Sequence, residues 1–266
     1  MFNRKCSLIG VVHLLPLPGA AGYGGNIDEI LRWALEDAIN YKENGIDALI
    51  LENMHDVPFL KGYVEPETTA AMTVVAQAIK YETMLPLGIQ LLAGANIESL
   101  AVAVATSLDF IRVEGFVYAH VGDEGFHEAS AAQLIRRRAG LKAEKIKIFA
   151  DIKKKHSAHA ITADVSLVET ARAAEFFQAD GVIVSGASTG IAPPPESVKG
   201  VRAATDTAVL VGSGVTAENV DQFLPFCDAV IVGSSLKYEG KWNNHVDPER
   251  VQALARTVDG LSPSRR

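Results

Sequence analysis

Eight times along this chain a short, nearly continuous apolar run gives way to a stretch whose apolar residues recur at helical spacing. The runs fall at 6–13, 47–53, 85–92, 109–115, 146–153, 181–185, 209–211 and 230–232. Strand-then-helix alternation of this kind implies a parallel sheet with right-handed crossovers, since each helix must return the chain to the end where the next strand begins. Eight such units in 266 residues fit a closed (β/α)8, or TIM, barrel better than an open doubly wound sheet. The first strand-to-helix turn also lacks the G-x-G-x-x-G spacing of a dinucleotide-binding fold. No break in composition divides the chain, so residues 1–261 read as one barrel domain and 262–266 as a frayed tail.

Local signals place the helices. Asn26 with Glu29 makes a capping signal for the first, and Pro66 suits the first turn of the second. Ala71, Val74, Val75, Ala78 and Ile79 are expected on the buried face of that second helix. Asn96 is expected to cap the third helix, a residue near Asp164 the fifth, Thr216 the seventh, and Asp247-Pro248 the last.

Composition excludes several function classes. A net charge of −7 argues against nucleic-acid binding, which needs a basic face; Arg136-Arg137-Arg138 then reads as a solvated helix face. No apolar run approaches the ~20 residues of a bilayer span, and the chain passes into its first strand too early for a signal peptide. Cys6 and Cys227 fit neither a metal spacing nor a disulfide framework, so a reducing compartment, the cytoplasm, is expected. Whether the chain forms a homo-oligomer is left open.

Buried parallel strands should be apolar throughout, yet here polar residues gather at the C-terminal ends. His13, Glu52 and Asn53, Arg112 and Glu114, Asp151 and Lys153, Ser185 and Lys237 all sit there. Strand ends reach solvent, and any one of these could be a structural ion pair. As a set they crowd the rim where barrel enzymes carry their chemistry. Alternation puts Arg112 with Glu114, and Asp151 with Lys153, on shared faces. Lys153 is then a candidate Schiff-base nucleophile or cationic stabiliser with Asp151 beside it, Glu52 and Glu114 candidate general bases, and His13 a candidate proton carrier. Asn53, Asn96, His156, Ser185, Thr189 and Lys237 are candidate substrate contacts. The pairs Glu52/His55 and His156/His159 have ligand-like spacing but lie on no helix; no metal motif and no cofactor is identified.

Two glycine–serine turns close the chain's pattern: Gly212-Ser213-Gly214 and Gly233-Ser234-Ser235. Either alone is an ordinary tight turn. Side by side after strands seven and eight, their amides would form a phosphate-binding cup.

Taken together, these pieces resemble the BtpA/SgcQ family over nearly the whole length. The resemblance is carried by Val12-His13 with Pro16-Leu17-Pro18-Gly19, Leu51-Glu52-Asn53 with Asp56-Val57-Pro58-Phe59, Phe110-Ile111-Arg112-Val113, and Asp151-Ile152-Lys153-Lys154-Lys155-His156. Thr189-Gly190, Val211 to Thr216 with Asn219, and Val232 to Lys237 complete it. It implies a barrel related to phosphate-binding TIM barrels. Leu91 to Asn96 and Glu114-Gly115 depart from many bacterial members in loops that shape a pocket. The expected function is an enzyme of isomerase or lyase type acting on a small phosphorylated metabolite, such as a sugar phosphate, through proton transfer or carbon–carbon chemistry beside a carbonyl. The alternatives are a non-catalytic assembly factor and a phosphate-ester or nucleotide hydrolase, the latter without a P-loop.

Overall fold

The computed structural model describes residues 6–261, so the tail at 262–266 lies outside the described residues. Eight parallel strands close into a barrel: β1 (Ser7–His13), β2 (Ala48–Glu52), β3 (Leu87–Gln90), β4 (Phe110–Val113), β5 (Lys147–Ile152), β6 (Gly181–Val184), β7 (Ala208–Val211) and β8 (Ala229–Val232). Each pairs with the next, and β8 returns to β1 with Leu8 opposite Val230. Helices α1 (Ile27–Glu43), α2 (Pro66–Thr83), α3 (Asn96–Ala105), α4 (Ala131–Gly140), α5 (Leu167–Phe176), α6 (Pro195–Arg202) and α7 (Pro248–Leu261) pack outside. This is the expected (β/α)8 barrel, with one substitution. The seventh unit has no α-helix; turns and a short 3-10 segment, Val220–Gln222, stand where Thr216 was expected to open one.

Caps account for several boundaries. The Asn26 side chain accepts from the Asp28 and Glu29 amides, and Asp247 Oδ1 accepts from Glu249 at the start of α7. The cap expected near Asp164 is Ser166, which forms a reciprocal capping box with Glu169 at the start of α5. Asn96 is the first residue of α3, and its side chain instead donates to the Glu114 carbonyl at 2.7 Å and to Ser130 Oγ at 3.0 Å, tying down the loop after β4. On α2, Val74 faces solvent, and Met72 and Ala76 join the buried face in its place.

Two layers of core follow from strand alternation. Outward residues such as Leu8, Leu49, Ile111 and Val209 meet the helices. Inward residues, among them Ile9, Val11, Ile50, Phe110, Phe149, Ile183 and Leu210, fill the barrel. Phe110 and Phe149 meet in a tilted arrangement with centroids 5.4 Å apart. They fit because β3 presents glycine to them: a Cβ on Gly88 would lie 2.2 Å from the Phe110 ring. Below the strands, the Cys6 and Cys227 thiols are free and buried, with sulfur atoms 3.4 Å apart. Among the described residues, no helix is long and apolar enough to cross a membrane.

The Gly88–Phe110 contact is testable by a double-mutant cycle in denaturant unfolding. Gly88→Ala should destabilise by about 1–3 kcal/mol through overpacking. The same change in a Phe110→Leu background should cost markedly less, because the ring it collides with is gone.

Candidate active site at the barrel mouth

The inward series on each strand arrives at the mouth one step above the core. After Val11 comes His13, after Ile50 Glu52, after Phe110 Arg112, after Phe149 Asp151, after Ile183 Ser185, after Leu210 Gly212, and after Ile231 Gly233. On β3 the register adds Gln90, two residues beyond Gly88. The ring around the mouth is therefore His13, Glu52, Gln90, Arg112, Asp151, Ser185, Gly212 and Gly233 in strand order.

Arg112 holds the ring together. Its Nε donates to Asp151 Oδ2 at 2.7 Å and its Nη2 to Asp151 Oδ1 at 3.0 Å, a two-point clamp; Nη1 donates to Glu52 Oε1 at 3.2 Å. Burial opposes the charge, but Asp151 and Glu52 outweigh it and hold the guanidinium more firmly protonated than usual. Ser185 Oγ donates to Asp151 Oδ1 at 3.2 Å. Glu52 is different. Burial raises its carboxyl above the ordinary range against the pull of Arg112 and Lys155. Its Oε2 lies 3.8 Å from His13 Nε2. His13 Nδ1 sits 2.8 Å from the Trp242 carbonyl, which can only accept, so Nδ1 carries the proton and Nε2 faces Glu52 with its lone pair. Burial, and then the Lys237 charge, lower this histidine to about 3. Burial thus pushes both neighbours toward their neutral forms, the carboxyl up and the histidine down.

The three consecutive lysines go to three places. β5 ends at Ile152, and Lys153 takes a left-handed φ of 47°, which breaks the alternation that would have set it on the face of Asp151. Its ammonium donates to the Thr162 carbonyl at 2.9 Å, in a smaller cleft beside Tyr118 and His159. The expected Asp151–Lys153 pair is thus replaced by Asp151–Arg112. Lys154 donates to Glu114 Oε2 at 2.9 Å and lies 3.7 Å from Glu124 Oε1; burial would lower its amine, but these carboxylates hold it above the usual value. Lys155 points into the mouth beside Glu52 and Arg112, where burial and then Arg112 lower its amine. Among the described residues its ammonium has no ion-pair partner. Lys155 was not singled out in the sequence because the break at Lys153, which decides the facing of all three, has no sequence signal.

The mouth holds two joined hollows. The first lies between the turns after β7 and β8, lined by Gly212, Ser213, Gly214, Gly233, Ser234 and Ser235, with Thr189-Gly190 alongside. Gly214 has φ 69°, and a Cβ there would sit 2.0 Å from the Ala192 amide nitrogen, so only glycine lets the 186–192 loop approach. The hydroxyls of Ser213 and Ser235 are engaged within the protein: Ser213 donates to the Ile191 carbonyl at 3.0 Å, and Ser235 to the Val215 carbonyl at 2.7 Å. Asn219 braces the first turn, accepting from the Thr216 amide at 2.9 Å and donating to the Gly214 carbonyl at 3.0 Å. The Gly212 amide is engaged as well, donating to the Val184 carbonyl at 2.9 Å, whereas the Ser234 hydroxyl has no hydrogen-bond partner among the described residues. The second hollow, about 390 Å³, spreads over β3 and β4, past Gln90, Leu92, Glu114, Phe59 and His156. Both hollows share Glu52, Met54, Arg112, Lys155, Thr189 and Trp242.

Other expected contacts sit elsewhere. Asn53, facing outward, donates to Asp56 Oδ2 at 2.9 Å and accepts from the Leu92 amide at 2.7 Å, fixing two loops to each other. Lys237 is wholly buried, its ammonium on Asp37, whose other oxygen takes the Val246 amide and His245 at 2.9 Å. It braces the segment after β8 against α1 and does not reach either hollow. His156 does, with Nε2 2.9 Å from Thr189 Oγ1. The pairs Glu52/His55 and His156/His159 build no metal site: among the described residues, no three His, Cys, Asp or Glu side chains are placed to share an ion.

The profile of the BtpA family matches residues 4–260. The chain belongs to the BtpA family. An uncharacterized mitochondrial protein of Caenorhabditis elegans is 43% identical over 98% of this chain and 96% of its own length. The photosystem I biogenesis protein BtpA of Synechocystis is 36% identical over 98% of this chain and 91% of its own. Among solved structures, thiamine phosphate pyrophosphorylase from Pyrococcus furiosus superposes with a TM-score of 0.60 at 13% identity, covering 97% of this chain and 98% of that one. N-(5'-phosphoribosyl)anthranilate isomerase from the same organism gives 0.58 at 14% identity, covering 96% and 99%. At such identities these neighbours establish for this BtpA-family chain the fold alone.

Two measurements separate structural from site charges. Lys237→Met strands Asp37 without its partner and should cost about 3–5 kcal/mol in unfolding experiments, whereas Lys155→Met should cost little. In acid, His13 carries a definite sign. The unfolded chain protonates this histidine near 6.5 and the folded chain only near 3, so its contribution is complete above pH 6.5 and lost as pH falls toward 3. Glu52, raised when folded, acts oppositely, binding its proton more readily in the native state. The stability difference between wild type and His13→Gln should therefore be flat above pH 6.5 and shift against the wild type below it, by an amount on the order of a few kcal/mol.

Proposed function

We propose that this protein is an enzyme that binds a small phosphorylated metabolite, sugar-phosphate-like, with the phosphate between the two glycine–serine turns and the reacting carbon at the charged ring. The observation that carries this reading is the continuity of the turn-lined hollow with Glu52, His13, Arg112 and Lys155. Open amides in small-residue turns suit an anion, and an acid, a base and cations one step away suit chemistry next to a carbonyl. Thiamine phosphate pyrophosphorylase, phosphoribosylanthranilate isomerase and orotidine 5'-phosphate decarboxylase, whose fold this chain shares, are named for phosphate-bearing compounds, which supports the reading.

In the step this arrangement favours, the Glu52 carboxylate takes a proton from carbon beside the substrate carbonyl. The electron pair moves onto the carbonyl oxygen, and the Lys155 ammonium stabilises the resulting enolate. Return of the proton from Glu52 to the former carbonyl carbon, while the substrate's α-hydroxyl passes its proton to the enolate oxygen, gives an isomerase. Removal instead of the proton of a hydroxyl β to the carbonyl turns that hydroxyl into a new carbonyl, breaks the intervening carbon–carbon bond and leaves its electron pair as the same enolate, which gives a lyase. Arg112, already committed to Asp151 and Glu52, fixes the position of Glu52. Converging charges of both signs in a recess favour an enzyme over an assembly factor, which would present an apolar docking face. A reducing compartment such as the cytoplasm would keep Cys6 and Cys227, whose sulfur atoms lie 3.4 Å apart, as thiols.

A thermal-shift screen of phosphorylated metabolites tests the reading; a ligand at 100 times its Kd raises stability by ~2.7 kcal/mol. Ser234→Asp, which sets a carboxylate in the anion hollow, should abolish the shift. Glu52→Gln and Lys155→Met should retain it and lose turnover by about 10²-fold or more. Binding indifferent to Ser234→Asp removes the phosphate site, and full turnover by Glu52→Gln removes the base.

A further inference from the structure

The second hollow is unlike the first. Beside charged residues such as Glu114, Asp123 and Lys155, it carries an apolar wall of Met54, Val57, Phe59, Leu92 and Trp242. Among them Gln90 ends β3 with 2% of its surface exposed and its Nε2 without a hydrogen-bond partner. An unmet buried amide costs about 1–3 kcal/mol, so this donor is available to a ligand oxygen that enters the hollow. Of the cations here, Arg112 is matched by Asp151 and Glu52, and Lys154 by Glu114 and Glu124, whereas Lys155 has no ion-pair partner among the described residues. A sugar lying on Leu92, Phe59 and Trp242 would set hydroxyls against apolar surface.

We infer that the second hollow is a subsite for a flat, largely apolar ring bearing a carbonyl or carboxylate oxygen, carried on the same molecule whose phosphate occupies the first hollow. This rests on the phosphate reading above and deepens it. The ring packs against Trp242, Met54 and Phe59, and its oxygen accepts from Gln90 or Lys155. Because Glu52, Arg112 and Lys155 border both hollows, the bond between the phosphate-bearing part and the ring lies over the reacting groups. The substrate class is a ring-substituted sugar phosphate rather than a simple one.

Calorimetry with ribose 5-phosphate and uridine 5'-monophosphate, which share the phosphorylated pentose and differ by a carbonyl-bearing ring, tests this. Uridine 5'-monophosphate should bind at least about tenfold more tightly. Gln90→Leu and Phe59→Ala should each erase most of that advantage while leaving ribose 5-phosphate affinity unchanged. Gln90→Leu removes an unmet donor and should keep the fold, which circular dichroism melting checks. Equal affinity for the two compounds in the wild type, or an advantage that survives both substitutions, overturns the subsite. If ribose 5-phosphate binding is absent or is untouched by Ser234→Asp, the phosphate site itself falls and the proposal falls with it. If that binding is present and Ser234-dependent but the ring adds nothing, only the subsite falls.

Discussion

The mouth of this barrel depends on one buried cation. Arg112 has 5% of its surface exposed, and a guanidinium at that depth would be intolerable alone. It is held because Asp151 grips it at two points and Glu52 at a third. Geometry this complete can offset the desolvation of the charges, but apolar residues of similar volume would serve stability as well or better. The cluster therefore makes sense as positioning. Asp151 is fully occupied by Arg112 and Ser185, whereas Glu52 touches Arg112 with one oxygen and turns the other toward His13. One carboxylate is immobilised as a counter-charge; the other is left with a raised pKa and a free oxygen.

The sheet register gives this cluster its place. Every strand contributes an inward residue to the barrel core and, two positions later, an inward residue to the mouth. Much of that was legible in the sequence, because a parallel buried strand ought to be apolar and each departure from that rule stands out. His13, Glu52, Arg112, Asp151 and Ser185 were visible this way, as were the paired glycine–serine turns that border the first hollow. Gln90 was not: a lone amide ending a four-residue strand carries no charge to flag it.

Beyond the strand ends, periodicity loses its force, and the errors collect there. Lys153 was set on the face of Asp151 by extending alternation one residue past Ile152, where a left-handed backbone turns the chain. Lys237 looked like a mouth residue because it follows β8, yet its partner Asp37 is two hundred positions away on α1, a pairing no local pattern announces. Asn96 and Asn53 were read by residue type as a cap and a ligand contact, and both were taken up by loop-to-loop hydrogen bonds. Trp242, whose carbonyl fixes the His13 tautomer, sits in an irregular segment with no motif of its own.

The same division explains why a shared fold says little about chemistry here. Strands and their inward register are constrained by packing, so a barrel at 13% identity can superpose over nearly its full length. The loops answer to different constraints. In this chain they bring Lys155 and Trp242 to the junction of the two hollows, close the 186–192 segment over Gly214, and fold the His120–Gly122, Gly125–His127 and Ser157–Ala158 strands into a small sheet whose neighbourhood supplies Glu124 and Lys154. An inward ring alone would give a set of paired charges. It is the loop-borne Lys155, without an ion-pair partner among the described residues, that leaves the ring one uncommitted cation, and Met54, Phe59, Leu92 and Trp242 that set an apolar wall beside it.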